Sequence, residues 1–251
     1  DSGYEKTFAA ATVAAAGTVG QVIPPSIPMV TYCVLANTSV STLFLAGVGP
    51  GLLMGLTMMV VAYLYAKKHN VPVIKEKKSP KEVLHICLDS MWALIMPVII
   101  LGGIYSGIFS PTEAACISVV YAALVSVFIY RTISLKQLWT LMLESVHACA
   151  PFCALLALAT ALSRILTILN APQVLASFLS GIISSRISFL ILLNIVLLIL
   201  GMFIDGAPAI LILSPLLMPI AQQFGIDPVH LGIIMVCNLA VGLASPPFGL
   251  N

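Results

Sequence analysis

The chain alternates long apolar runs with short polar, glycine or proline interruptions, and these interruptions define its elements. Ala9–Val22 is apolar and rich in alanine. It predicts a helix that stops before Pro24, because proline lacks an N–H and disfavours helix at the residue before it. Ile27–Leu35 resumes as a shorter apolar piece, and Leu43–Tyr65 is long enough for a full span ending at Lys67 and Lys68. Val83–Ile104 and Ala114–Tyr130 form a predicted pair of spans joined by SGIFSPTEA. In that turn Pro111 sits early in the second helix, and Ser110 and Glu113 have capping-box spacing. Leu138–Leu169 is a long apolar stretch containing Pro151, readable as one bent helix or as two pieces. Pro172–Ile183 reads as a shorter interfacial segment. Ile187–Leu200 and Ala209–Ala221 are both shorter than a full span and are joined through IDGAP, the pattern of a re-entrant hairpin over 201–221. His230–Val241 then leads into GLASPPFG.

Composition sets the solvent. Charged residues make up 8% of the 251 positions and hydrophobic ones 60%, with mean hydropathy +1.11. A soluble domain carries about 25% charged residues, and a bilayer span needs about 20 mainly apolar ones. The chain therefore reads as an all-α, multi-pass integral membrane protein. Lys67, Lys68, Lys75, Lys77, Lys78 and Lys81 cluster in one loop, which the positive-inside bias places in the cytoplasm. Lys81 and Arg131 then put both outer ends of the 83–130 pair on that side. The basic loop lacks the aromatic interleaving of a nucleic-acid site, so nucleic acid is not an expected partner; membrane lipids are. Cys33, Cys87, Cys116, Cys149, Cys153 and Cys237 lie mostly in apolar runs and form no CxxC pair, so they read as small buried hydrophobes. No nucleophile motif, phosphate loop or zinc signature occurs, and an enzyme is not expected. Asp1 and Asn251 both read as cuts through a longer protein.

The chain contains an internal repeat. Gly3–Pro25, GYEKTFAAATVAAAGTVGQVIPP, aligns without a gap on Gly225–Pro247, GIDPVHLGIIMVCNLAVGLASPP, at an offset of 222. Gly3 meets Gly225, Glu5 meets Asp227, Val19-Gly20 meets Val241-Gly242, and Pro24-Pro25 meets Pro246-Pro247. The matched residues constrain backbone rather than fill lipid. Paired, Gly/Pro-interrupted helices in two halves point to the binding site of a secondary transporter. Broken helices free backbone groups that hydrocarbon cannot satisfy. The freed carbonyls suit Na⁺, and helix N-terminal amides suit a carboxylate.

IPPSIP (23–28), LFLAGVGPG (43–51), MPVIILGGIYSGIFSPTEAA (96–115) and DPVHLGIIMVCNLAVGLASPPFG (227–249) resemble the large membrane subunit of tripartite ATP-independent periplasmic (TRAP) transporters, the DctM-like or SiaM-like component. The likeness covers essentially the whole chain. It implies an elevator-type secondary transporter with inverted repeats, two re-entrant hairpins and discontinuous helices. It further implies a small membrane subunit, separate or fused, and a periplasmic binding protein as partners, in a bacterial inner membrane. Placed on this chain, residues 1–36 correspond to a transport-domain part with the first unwound helix. Residues 37–136 correspond mainly to scaffold spans and the basic loop. Residues 137–251 correspond to the second transport half, with hairpin 201–221 and second unwound helix 238–251. The first hairpin would precede Asp1. Ser110 stands where threonine is common in the family, and Gln21 stands in a usually apolar place where it bears on substrate preference.

The resemblance implies two or more Na⁺ ions and no organic cofactor. One Na⁺ would take carbonyls from Gly20, Val22, Ile23 and Pro24; a second would draw on Gly242, Ala244, Ser245 and Pro246, with Asp205 nearby. Asp205 reads equally as a helix N-cap. Ser26 would donate to substrate or cap the helix from Ile27. Thr31 is a candidate for the substrate path, or for packing. Arg164 would offer a fork to a substrate carboxylate, or snorkel to the interface. The expected cargo is a carboxylate-bearing organic anion, sialic acid ahead of a C4-dicarboxylate.

Overall fold

The computed structural model describes residues 4–71, 79–182 and 185–246. Lys75, Lys77 and Lys78 of the basic loop, Gly3 and Pro247 of the repeat, and residues 247–251 of the second break lie outside the described residues. Regular structure among those described is helical throughout, with no strand. The helices are α1 Lys6–Val22, α2 Ile27–Ala36, α3 Val40–Lys68, α4 Pro80–Tyr105, α5 Pro111–Leu124, α6 Leu135–Ile168, α7 Ala171–Ile182, α8 Arg186–Gly201, α9 Gly206–Gln223 and α10 Pro228–Leu243. A π-helical turn, Val125–Ile129, continues α5. Among the described residues, six segments are long and apolar enough to cross a bilayer: Lys6–Ala36, Val40–Lys68, Pro80–Tyr105, Pro111–Ile129, Leu135–Ile168 and Gly206–Gln223. The apolar helices α8 and α10 have 16 residues each, below the usual span length.

The interruptions act as their chemistry requires. Ile23 ends α1 in extended geometry, φ −80°, ψ 127°, as the residue before a proline must. Pro28, Pro80, Pro111 and Pro228 occupy first-turn positions of their helices, where no N–H is needed. The Ser110–Glu113 capping box forms in both directions: Ser110 N donates to Glu113 Oε2 at 2.8 Å, and Glu113 N donates to Ser110 Oγ at 3.3 Å. Pro151 does not divide α6, which runs as one helix of 34 residues.

The repeat has a counterpart in the element bounds. The N-caps Glu5 and Asp227 are 222 positions apart, as are the first helical residues Lys6 and Pro228. The helices end at Val22 and Leu243, within one residue of that offset.

The chain divides into two compact units, residues 1–71 with 154–251, and residues 72–153. In the first unit α10 lies at the centre, packed against α8, α9, α1, α3 and α2, while α9 also packs against α2 and α7. Its buried residues include Leu231, Met235 and Leu239. Gly232 makes room for the Tyr32 ring: a Cβ there would come within 2.5 Å of Tyr32 Cε1. The Tyr32 hydroxyl, on α2, donates to the Pro228 carbonyl at 2.6 Å. In the second unit α4 and α5 pack together. The Phe109 ring lies against Gly103, Tyr121 Oη donates to Trp92 O at 2.8 Å, and Tyr130 Oη donates to Asp89 O. Most of the large apolar side chains of this unit are exposed, among them Leu84, Leu94, Val98, Val119 and Val120, as befits helices whose solvent is lipid.

Candidate functional site

The candidate site is built where three chain interruptions meet: the α1–α2 break, the α8–α9 link and the end of α10. At the first break Pro24 and Pro25 have no N–H to offer Gly20 and Gln21, the residues four positions back. The Ser26 hydroxyl donates to the Gln21 carbonyl at 2.5 Å and accepts from Met29 N at 3.3 Å. Ser26 is thus the N-cap of α2 and is 3% exposed. Ile23 N donates to Val19 O at 2.9 Å. The Gly20, Val22, Ile23 and Pro24 carbonyls accept no hydrogen bond from the described residues beyond α1, so all four are uncommitted oxygens of this break. Ile23 is exposed and Pro24 buried. On the other side α3 fits closely: a Cβ on Gly47 would lie 3.0 Å from Val22 O, and one on Gly51 would lie 2.5 Å from Ile23 Cγ1.

The end of α10 resolves its own proline differently. Ser245 N donates to Gly242 O at 2.8 Å and Ala244 N to Val241 O at 3.2 Å. Ser245 Oγ also donates to Val241 O, at 3.2 Å. The Gly242 carbonyl therefore already holds one donor, whereas its counterpart Gly20 holds none. Gly242 is buried, while Ala244 and Pro246 are exposed.

Asp205 is exposed, and its Oδ1 accepts from Gly206 N at 2.7 Å as the N-cap of α9. The two helix starts adjoin. A Cβ on Gly206 would lie 3.8 Å from Pro28 Cγ in the first turn of α2, and 3.3 Å from Gln21 Oε1. The Gln21 side-chain amide has no hydrogen-bond partner among the described residues. The Ile27 and Ala207 N–H groups likewise have no acceptor among them. Two helix N-termini, which favour negative charge, and one unspent amide therefore converge, with the Asp205 carboxylate already capping one of them.

The remaining contact joins the end of α8 to α10. Gly201 and Gly242 approach backbone to backbone; a Cβ on Gly242 would stand 2.7 Å from Gly201 Cα and 2.9 Å from Leu198 O. Further along the same pair, Asn238 Nδ2 donates to Asn194 Oδ1 at 2.7 Å and to Ile234 O at 2.8 Å. Asn194 Nδ2 returns to Leu190 O. Sequence reading passed over both asparagines, although an Asn in each of two otherwise apolar 16-residue helices signals an interhelical bond.

Of the first break, Gln21 and Pro28 reach the start of α9 that Asp205 caps, where Leu239 of α10 also lies, while Val22 and Ile23 face Gly47 and Gly51 of α3. Thr31 lies one turn into α2, 8% exposed, and its hydroxyl donates to Ile27 O at 2.9 Å. Arg164 is exposed on α6 and makes no hydrogen bond or ion pair among the described residues. No cluster of His, Cys, Asp and Glu able to hold a metal ion occurs among them either; the oxygens on offer are carbonyls, which suit a hard alkali cation rather than a transition metal.

Comparison with known proteins bears on what such a junction serves. Residues 1–251 match the family described as "Tripartite ATP-independent periplasmic transporter, DctM component". The chain is 46% identical over 250 residues to the C4-dicarboxylate TRAP transporter large permease protein DctM of Pseudomonas aeruginosa, covering all of this chain and 58% of that protein. It is 42% identical over 251 residues to the isethionate TRAP transporter permease protein DctMQ of Oleidesulfovibrio alaskensis, covering all of this chain and 40% of that protein. It is 38% identical over 250 residues to the sialic acid TRAP transporter large permease protein SiaM of Vibrio cholerae, covering all of this chain and 58% of that protein. The chain thus spans 40–58% of the length of these relatives. It belongs to the DctM component family of tripartite ATP-independent periplasmic transporters, a family of multi-pass membrane transporters and not of enzymes.

Proposed function

We propose that the full subunit carrying this chain imports a small organic anion across a bacterial inner membrane, driven by a Na⁺ gradient. The observation that carries the reading is the junction of the α2 and α9 starts around Gln21, beside the uncommitted Gly20 and Val22 carbonyls. The helix starts and the Gln21 amide favour the anion; the carbonyls of the two breaks favour Na⁺. The cargo is a carboxylate-bearing anion, with sialic acid and C4-dicarboxylates as the first compounds to assay. The name of the isethionate relative adds a sulfonate to that panel, since both groups present negative oxygens.

In this reading Na⁺ sits against Gly20, Val22, Ile23 and Pro24 at the first break, and against Gly242, Ala244, Ser245, Pro246 and Asp205 at the second. Bound Na⁺ offsets the charge of the anion, so each raises the affinity for the other by the same factor. Residues 1–36 and 137–251 belong to the moving transport part, built on inverted repeats with 201–221 as a re-entrant hairpin. Residues 37–136 belong mainly to the scaffold, with α3 as the span that abuts the first break. The loaded part moves as an elevator. A periplasmic binding protein delivers the anion, and a small membrane subunit completes the scaffold. Ser26 and Thr31 hold the start of α2 in place for the anion. Arg164 serves as an outer contact for the arriving anion.

Asp205 separates two roles by experiment. Its Oδ1 caps α9, and Oδ2 remains for a cation. Asp205→Asn keeps a good cap and removes the charge. In Na⁺ titrations of uptake by proteoliposomes containing the full-length subunit, its small subunit and the binding protein, Asp205→Asn is expected to raise half-saturating Na⁺ about fivefold, roughly 1 kcal/mol. Asp205→Ala also loses the cap, at a further cost of about 1 kcal/mol in stability. An unchanged Na⁺ titration for Asp205→Asn would reduce Asp205 to a cap alone.

A further inference from the structure

The second compact unit carries two adjoining recesses that the transport site does not use. The larger is a groove of about 530 Å³ between the end of α5, the π-helical turn and the start of α6, lined by Val119, Ala123, Phe128, Leu138, Leu141 and Met142 among others. Its lining is almost wholly apolar, with Ser126 and Ser145 the exceptions. The smaller, about 250 Å³, shares Ile133 and Leu141 with the groove and is otherwise lined by Thr132, Gln137 and Thr140. An apolar slot therefore runs into a smaller recess that carries three polar side chains, Thr132, Gln137 and Thr140.

The pocket has unspent hydrogen-bonding capacity. Gln137 Oε1 accepts from Ser134 N at 2.8 Å and from Ser134 Oγ at 2.9 Å, so its amide N–H₂ remains available. The Thr132 and Thr140 hydroxyls donate to the Ser126 and Lys136 carbonyls and retain their lone pairs. Charge flanks the pocket in the sequence. Arg131 adjoins Thr132, and Lys136 adjoins Gln137; both are exposed, and neither has an acidic partner among the described residues. Tyr130 and Trp139, also exposed, are the aromatic types that settle at headgroup level. An apolar slot, a polar pocket and two unpaired cations match one molecule in order: an acyl chain, a glycerol–phosphate region and a net negative headgroup.

We propose that this recess is a binding site for one anionic phospholipid, its acyl chain in the α5–α6 groove and its headgroup at Thr132, Gln137 and Thr140 beside Arg131 and Lys136. The test is native mass spectrometry of the full-length subunit with its small subunit, released from phosphatidylcholine nanodiscs containing a minority of phosphatidylglycerol. The expected result is one retained phosphatidylglycerol per large subunit and no comparable retention of phosphatidylcholine. The double variant Arg131→Gln, Lys136→Gln is expected to weaken that retention about thirtyfold, from roughly a factor of five per basic residue. Ala123→Trp, which fills the groove and leaves both cations in place, is expected to abolish it. Equal retention of both lipids overturns the proposal, as does retention that neither variant changes. Retention seen for the large subunit alone but lost with the small subunit present also overturns it, because a protein helix then occupies the groove.

Discussion

Replacing Gly242 with alanine is expected to abolish uptake and to lower thermal stability, whereas the same change at Gly20, its partner in the repeat, leaves the fold near native. The two positions match in sequence, and their surroundings differ. A Cβ on Gly242 would meet Gly201 Cα at 2.7 Å, Gly201 C at 2.8 Å and Leu198 O at 2.9 Å. All three are backbone atoms, so no rotamer change relieves the contact and α8 must move away from α10. Overpacking of this kind costs about 3 kcal/mol, the upper part of the usual range, against a total stability of about 5–15 kcal/mol. The displaced element is the one that leads into the α9 start, so the anion junction is lost with it. A Cβ on Gly20 meets no atom within 4 Å, and alanine favours helix over glycine by about 1 kcal/mol. Melting curves of the purified variants and uptake in proteoliposomes check both halves. A native melting curve and native uptake for Gly242→Ala would mean that α8 and α10 do not meet there.

The second large effect is expected at Gln21. Gln21→Glu keeps the shape of the side chain and places a carboxylate at the joined helix starts. The fold tolerates this, because the native amide has no hydrogen-bond partner among the described residues to lose and the two helix starts offset repulsion from the Asp205 carboxylate. At the proposed anion site the new carboxylate would take the anion's place, so KM is expected to rise by well over tenfold with little change in melting temperature. Gln21→Ala removes a hydrogen bond to a charged group, worth about 1.5–3 kcal/mol, so its KM should rise roughly 10- to 150-fold. An unchanged KM in both variants would place the anion elsewhere.

Much of the fold was legible because prolines and glycines act locally. Proline marks where α1 stops and where α5 starts, and the repeat offset carries over to the caps Glu5 and Asp227; α4 and α10 begin at Pro80 and Pro228, ahead of the apolar runs read from Val83 and His230. The Ser110–Glu113 box needed only a spacing of three. Pro151 was ambiguous for a physical reason: one missing N–H can be absorbed inside a long helix, and α6 absorbs it.

The site was legible only in its parts. IPPS and IDGAP each announce a break, but their approach through Gln21, Pro28 and Gly206 is a contact between residues about 180 apart, which periodicity does not encode. The Gly201–Gly242 contact is of the same kind. So is the unequal state of the two breaks, where Gly20 O is uncommitted and Gly242 O takes the Ser245 N–H. That difference arises in how each chain leaves its helix after residues that match in sequence.

The central claim is that these breaks couple Na⁺ to the movement of an organic anion. It is tested most directly by uptake of labelled sialic acid, a C4-dicarboxylate and isethionate into proteoliposomes holding the full-length subunit, its small subunit and the binding protein. Each is measured with Na⁺ outside only and with Na⁺ equal on both sides. The account predicts that at least one anion accumulates above its outside concentration when Na⁺ is outside only, and merely equilibrates when the Na⁺ gradient is removed. Full accumulation without the gradient would contradict it.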